Sequence, residues 1–231
     1  MRIPKRHLEA LAAIKKERYH PLLHRIHKKH NISRKTLFYI KEYGPHRHAA
    51  RVIIKESIGI LLLASIISSL GGLALENIKT LFISITPFII LLPVLNDMIG
   101  DYGTIISSKF SAMLHEGKIK GNWKLNTELR NLFGQVLVIS FITTIISFII
   151  SLAISGFSDY ALTAAVALKV LLTVMIDVTL LVGIIFLISV AAGLYFFRKQ
   201  EDPNNFLIPI ITSVADFGNT IVLSILIVLL F

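Results

Sequence analysis

The chain has 231 residues, of which 54% are hydrophobic and only 16% charged, and its mean hydropathy of +0.72 exceeds what a water-soluble domain of this length needs. It reads as a polytopic, multi-pass protein of the cell membrane. The chain has no cysteine, which excludes disulfides and thiolate metal sites and leaves oxygen or imidazole as the only ligands a metal could meet.

The formal charge of +10 is unevenly spread. Residues 1–55 carry fifteen Lys/Arg against Glu9, Glu17 and Glu42, a balance of +12, and hold seven of the eight histidines. The remainder carries nine basic against eleven acidic residues. The division falls between a basic, His-rich N-terminal arm over 1–51 and a membrane domain over 52–231. No compact signal segment opens the chain, because the first long apolar run starts after residue 55 and is long enough to span. Within the arm, His20, His24, His27 and His30 recur at spacings of four, three and three. On a helix they would share a face able to hold Zn²⁺ or Ni²⁺. Arg25, Lys28 and Lys29 lie among them and oppose a cation, so anionic lipid headgroups are the preferred partner of the arm. No recognition motif supports a specific nucleic-acid partner.

Five spans follow in chain order. The first, Ser57–Leu75, is uncharged and ends at Glu76; the second starts near Thr80, is interrupted by Pro87 and Pro93, and turns polar from Asn96 to about Leu114. The third, about Asn131–Phe157, is rich in Ile and Phe. Its β-branched content would suggest strand in water, but a long apolar run without alternation crosses lipid as helix. The fourth covers roughly Val170–Phe197 and contains Asp177, and the fifth covers about Asn205–Leu230. The fold class is therefore all-α, with five transmembrane helices. Basic residues gather between spans two and three (Lys109, Lys118, Lys120, Lys124, Arg130) and after span four (Arg198, Lys199). By the positive-inside rule the N-terminus is cytoplasmic and the C-terminus outside.

Two polar constellations interrupt the apolar spans. Asp216 sits near the middle of the last span, where a charge costs about 2.5 kcal/mol or more. At helical spacing Thr212, Ser213, Asn219 and Thr220 share its side. On span two, Asp97, Asp101, Thr104, Ser108 and Ser111 recur at four, three, four and three, a polar stripe along a membrane helix. Pro87 and Pro93 can free backbone carbonyls for ion binding, as the broken helices of transporters do. Two acids here and Asp216 make a hard, oxygen-rich environment that suits Mg²⁺, an ion often held through its waters by one or two carboxylates. Asp177 is either a second cavity acid or the partner of Lys169, two turns away. Asp202 before Pro203 fits a helix cap as well as an ion contact, and Lys109 is read as a charge partner rather than a ligand.

The segment from Pro93 to Gly117, with Gly100-Asp101, Ser107-Ser108-Lys109, Ser111 and His115, and the segment Asp202-Pro203-Asn204-Asn205-Phe206 with Ile208-Pro209, Thr212 and Asp216, resemble two signatures of the MgtE and solute carrier family 41 divalent cation transporters. The resemblance covers about residues 55–231, one five-helix unit. It implies transport of a divalent cation, Mg²⁺ above all and Mn²⁺ or Co²⁺ besides, with Asp216 as the pore aspartate and a pore shared between units. The ion-facing residues expected are Asp216, Asp101, Asp97, Asn96, Thr212 and Asn219. One unit per chain calls for a second copy, or a related half-unit, to complete the pore. The family's large acidic regulatory region with paired CBS modules has no counterpart in the basic arm, so that mode of gating is not expected. Asp101 follows Gly100 where the family often has Asn, adding a negative charge. The competing classes are a proton- or sodium-coupled transporter using the same acids as a relay, and an intramembrane enzyme. Against the enzyme, the spans offer no histidine, cysteine or nucleophile-base pair.

Overall fold

The computed structural model describes residues 49–116, 118–119, 126–157, 163–199 and 203–231, together with Lys29. The His-rich cluster of the arm, Gly117 and Asp202 lie outside the described residues. Six helices run in order among those described: α1 Ala49–Asn77, α2 Lys79–Ser84, α3 Thr86–His115, α4 Thr127–Gly156, α5 Ala164–Arg198 and α6 Pro203–Leu230. All but α2 are long and apolar enough to cross a membrane, so the chain is an all-helical, multi-pass membrane protein.

Local chemistry sets the boundaries. The second span divides into α2 and α3 at Ile85, whose φ of −116° and ψ of 82° are not helical, so the break comes ahead of Pro87 rather than at it. Pro87 falls in the first turn of α3, where the missing N–H costs no hydrogen bond. Pro93 and Pro209 stay inside α3 and α6. Each removes the donor to the carbonyl four residues earlier. For Pro209 that carbonyl belongs to Asn205, which accepts from the Ser57 hydroxyl at 3.4 Å. Asn126 caps α4 by accepting from the Leu129 N–H at 3.0 Å, and Thr163 caps α5 by accepting from the Val166 N–H at 3.3 Å.

Helix α6 is the hub, packed against α1, α3 and α5, while α3 also meets α4 and α5. Leu207, Ile211, Ala215, Leu223 and Ile227 of α6 face Phe88, Leu91, Leu95, Ile99, Ile106 and Phe110 of α3 and Leu181 and Ile185 of α5 in one buried core. The approach of α3 to α6 depends on Gly103, where a Cβ would stand 2.0 Å from Ile211 Cγ2. Between apolar helices in lipid, close packing and hydroxyl bonds hold the bundle. Helix α4 shows the second kind, with the Tyr102 and Thr143 hydroxyls paired, Ser147 donating to Met98 Sδ at 3.2 Å and Ser151 to the Pro87 carbonyl at 3.0 Å. Its other face, including Val138, Ile142, Ile145 and Ile149, is exposed.

Candidate ion site

The polar residues of α3 and α6 meet at one cleft. Pro93, Asn96, Asp97, Gly100 and Asp101 from α3 and Thr212 and Asp216 from α6 line a space of about 420 Å³. The α3 residues stand at offsets of three, four, seven and eight, one helix face; Thr212 and Asp216 are one turn apart. The walls stand close at Gly100, where a Cβ would sit at ordinary contact distance, 3.7 Å, from Thr212 Cγ2.

Five of the six expected residues line this cleft, and the sixth stands behind its wall. Asn219 is fully buried and its Nδ2 donates to Asn96 Oδ1, tying α6 to α3. Asp97 and Asp101 are exposed at the cleft mouth and Asp216 is half-buried. Thr212 donates its hydroxyl to the carbonyls of Ile208 and Pro209 at 2.9 and 3.1 Å, which leaves its oxygen free to accept. Asp216 Oδ2 accepts from Ser68 of α1 at 3.1 Å, and the Asp216 carbonyl accepts from Thr220 at 2.5 Å. Among the described residues, no basic group lies within ion-pair distance of Asp97, Asp101 or Asp216.

Other expectations are corrected. Ser213 is buried, donating to the Ile210 carbonyl at 2.8 Å, and so lies away from Asp216's open side. The α3 stripe ends at Asp101 as a lining. Thr104 turns its hydroxyl to the Asp101 carbonyl at 2.9 Å and Ser111 is buried in the bundle. Lys109 belongs to a different cleft of about 360 Å³ with Glu116, Lys118, Glu128, Asn131 and Gln135, two turns beyond the acids. There Lys118 Nζ lies 2.8 Å from Glu116 and 3.7 Å from Glu128, and these carboxylates, Glu116 first, hold its ammonium above the usual lysine range. His115 packs edge-on against Phe197 with ring centroids 5.3 Å apart.

Asp177 is neither a cleft acid nor the partner of Lys169. It is fully buried in α5, and among the described residues neither oxygen has a hydrogen-bond partner, while the Lys169 ammonium lies over the Phe231 ring, 5.2 Å from its centroid. Ser68 was missed by sequence reasoning, although a signal exists. Ser57, Ile60, Ala64, Ile67, Gly71 and Ala74 alternate spacings of three and four, a seam with several small residues, and Ser68 flanks it.

In chemical terms the lining of the cleft offers three carboxylates, amide and hydroxyl oxygens and no sulfur or imidazole, the donor types that suit a hard divalent cation; among the described residues the three acids are too widely spaced to hold one bare ion between them. Six waters at about 30 Å³ apiece fill less than half of the 420 Å³, so a fully hydrated ion fits. The comparison with protein families matches the divalent cation transporter family MgtE over residues 92–226, from within α3 almost to the end of α6. The comparisons with curated proteins and with solved structures give no match. Since the match spans more than half of the chain and contains every residue of the cleft, this protein belongs to the MgtE family of divalent cation transporters.

Proposed function

We propose that the chain transports Mg²⁺, with Asp216, Asp97 and Asp101 attracting the hydrated ion and Asn96, Thr212 and Asn219 shaping its path. The observation that carries this reading is that Asp97, Asp101 and Asp216, with no basic group within ion-pair distance among the described residues, line one cleft between two membrane helices; they do not stand close enough to grip a bare ion together, so the ion is met through its waters. A carboxylate deep in a bilayer, such as Asp216, costs about 2.5 kcal/mol or more, and a hydrated divalent cation in the cleft offsets that cost. Mg²⁺ is favoured among divalent ions because it surrenders water reluctantly and is commonly held through its hydration shell.

The functional unit is a dimer of this chain, or this chain with a related half. Asp97 and Asp101 are exposed on the single unit, and exposed carboxylates on a membrane helix need something other than lipid in front of them. A closed two-fold assembly would bring two clefts around one axis. In this topology the N-terminal arm and the 116–126 connection are cytoplasmic, by the excess of Lys and Arg there.

Uptake of Mg²⁺ into vesicles reconstituted with the purified chain tests the reading, with Mn²⁺, Co²⁺ and Ca²⁺ as competitors and with a pH or Na⁺ gradient imposed or collapsed. Uptake driven by the Mg²⁺ gradient alone supports a path lined by these acids. Strict dependence on a proton or sodium gradient would make them a relay in a coupled transporter instead.

A further inference from the structure

The Asp216 carboxylate is held by a helix outside the matched family segment. Helix α1 ends at Asn77, before the match begins at residue 92, and it packs chiefly against α6. Its seam is set at Gly71, where a Cβ would stand 3.3 Å from both the Phe217 Cα and Thr220 Oγ1. Three residues earlier, Ser68 donates its hydroxyl to Asp216 Oδ2 at 3.1 Å. Thr220, the side chain against Gly71, donates in turn to the Asp216 main-chain carbonyl. Both ends of residue 216 are thus fastened next to the α1–α6 contact.

We infer that Ser68 is a positioning residue for ion binding, an inference that rests on the proposed role of Asp216. The hydroxyl takes one lone-pair direction on Oδ2 and leaves the rest of the carboxylate to the cleft. A carboxylate held by a hydrogen bond to a charged acceptor keeps one orientation between binding events, so less side-chain freedom is lost when an ion arrives. Because α1 meets the bundle through this seam, the hydroxyl's place depends on α1 remaining seated on α6. Apolar neighbours on α1, such as Leu61, Leu62 and Ile66, are exposed on the single unit and make no such contact.

The test compares initial rates of Mg²⁺ uptake, per folded protein, across a concentration series for the full-length chain and for Ser68→Ala, Ser68→Thr and Asp216→Asn. Ser68→Ala is expected to raise the Mg²⁺ concentration at half-maximal rate about tenfold, the factor carried by one hydrogen bond to a charged group, while the maximal rate stays near that of the unaltered chain. Ser68→Thr keeps the hydroxyl and restores half-saturation. A purely structural serine would instead lower the amount of folded protein and leave half-saturation where it was, and that result would overturn the inference. Equal half-saturation in Ser68→Ala and the unaltered chain, with Asp216→Asn inactive, rejects Ser68 alone. Full uptake by Asp216→Asn rejects the pore role of Asp216, and the inference with it.

Discussion

Asp216 and Asp177 are both acids well inside long apolar helices, yet their surroundings differ in the one respect that decides their chemistry. Asp216 is half-buried on the wall of the cleft and accepts a serine hydroxyl, so an ion or water can reach it. Asp177 is fully buried, and among the described residues nothing hydrogen-bonds to either of its oxygens. On the proposed mechanism Asp216→Asn keeps the size, leaves the folded protein in place and removes most Mg²⁺ uptake, which flux measured per folded protein checks. For Asp177 the expectation is reversed. A buried acid without a partner is a cost to the fold, so Asp177→Leu raises stability by about 1 kcal/mol or more, read as a higher melting temperature in detergent, and uptake persists. A large loss of folded protein would mean that Asp177 holds the bundle through a partner it meets only in the assembled protein.

Among the elements, α1 and α6 depend on each other most visibly. The Gly71 contact is against main chain at Phe217, which cannot turn away as a side-chain tip would. Gly71→Leu therefore forces α1 outward at a cost of about 1–3 kcal/mol, the usual range for overpacking. Its melting temperature should fall, and its half-saturation for Mg²⁺ should rise in the same direction as that of Ser68→Ala, because both displace the same hydroxyl. A Gly71→Leu variant with lowered stability but unchanged half-saturation would separate the seat of α1 from the acid. Helix α3 contributes in another way. Its cleft face holds Pro93, Asn96, Asp97, Gly100 and Asp101, while Leu91, Leu95, Ile99, Ile106 and Phe110 are buried in the core, so one helix supplies both packing and chemistry.

For the whole molecule, the proposed shared path sets a second unit against the exposed acids at the cleft mouth. Ile105, one turn beyond Asp101 and exposed, is the place to test it, whereas Asn219 is fully buried within the unit. In this Cys-free chain, a cysteine at Ile105 is expected to crosslink two copies in membranes, and transport by a strictly monomeric chain would defeat the shared path. The +12 balance of residues 1–55 repels cations, so deletion of residues 1–45 should leave uptake and its ion preference in place at low and high internal Mg²⁺. Its expected effect is weaker attraction to anionic vesicles, at about 1 kcal/mol per basic residue near the surface, measured by vesicle co-sedimentation.

The sequence by itself determined the spans and the chemistry. Apolar runs of bilayer length dictate helices in a medium that offers the backbone no other partner, and all five appear, most of them longer at their ends where capping residues such as Asn126 and Thr163 extend them past the apolar runs. Intramembrane acids are legible for the same reason, since lipid makes them costly, and Asp97, Asp101 and Asp216 do share one cleft with Thr212, placed beside Asp216 by helical spacing, and Asn96, implied by the family resemblance. Periodicity gave the side of a helix but not its neighbour. Only the packing decided that Ser213 and Ser111 are enclosed, that Asn219 braces Asn96 from behind, that Lys109 serves a separate cleft, and that Asp177 is buried away from the cleft. Ser68 shows the difference most directly. It lies 148 residues from Asp216 in the chain, and nothing local pairs them; what brings the hydroxyl to the carboxylate is a seam of small residues that lets two backbones approach, and that approach is a property of the bundle.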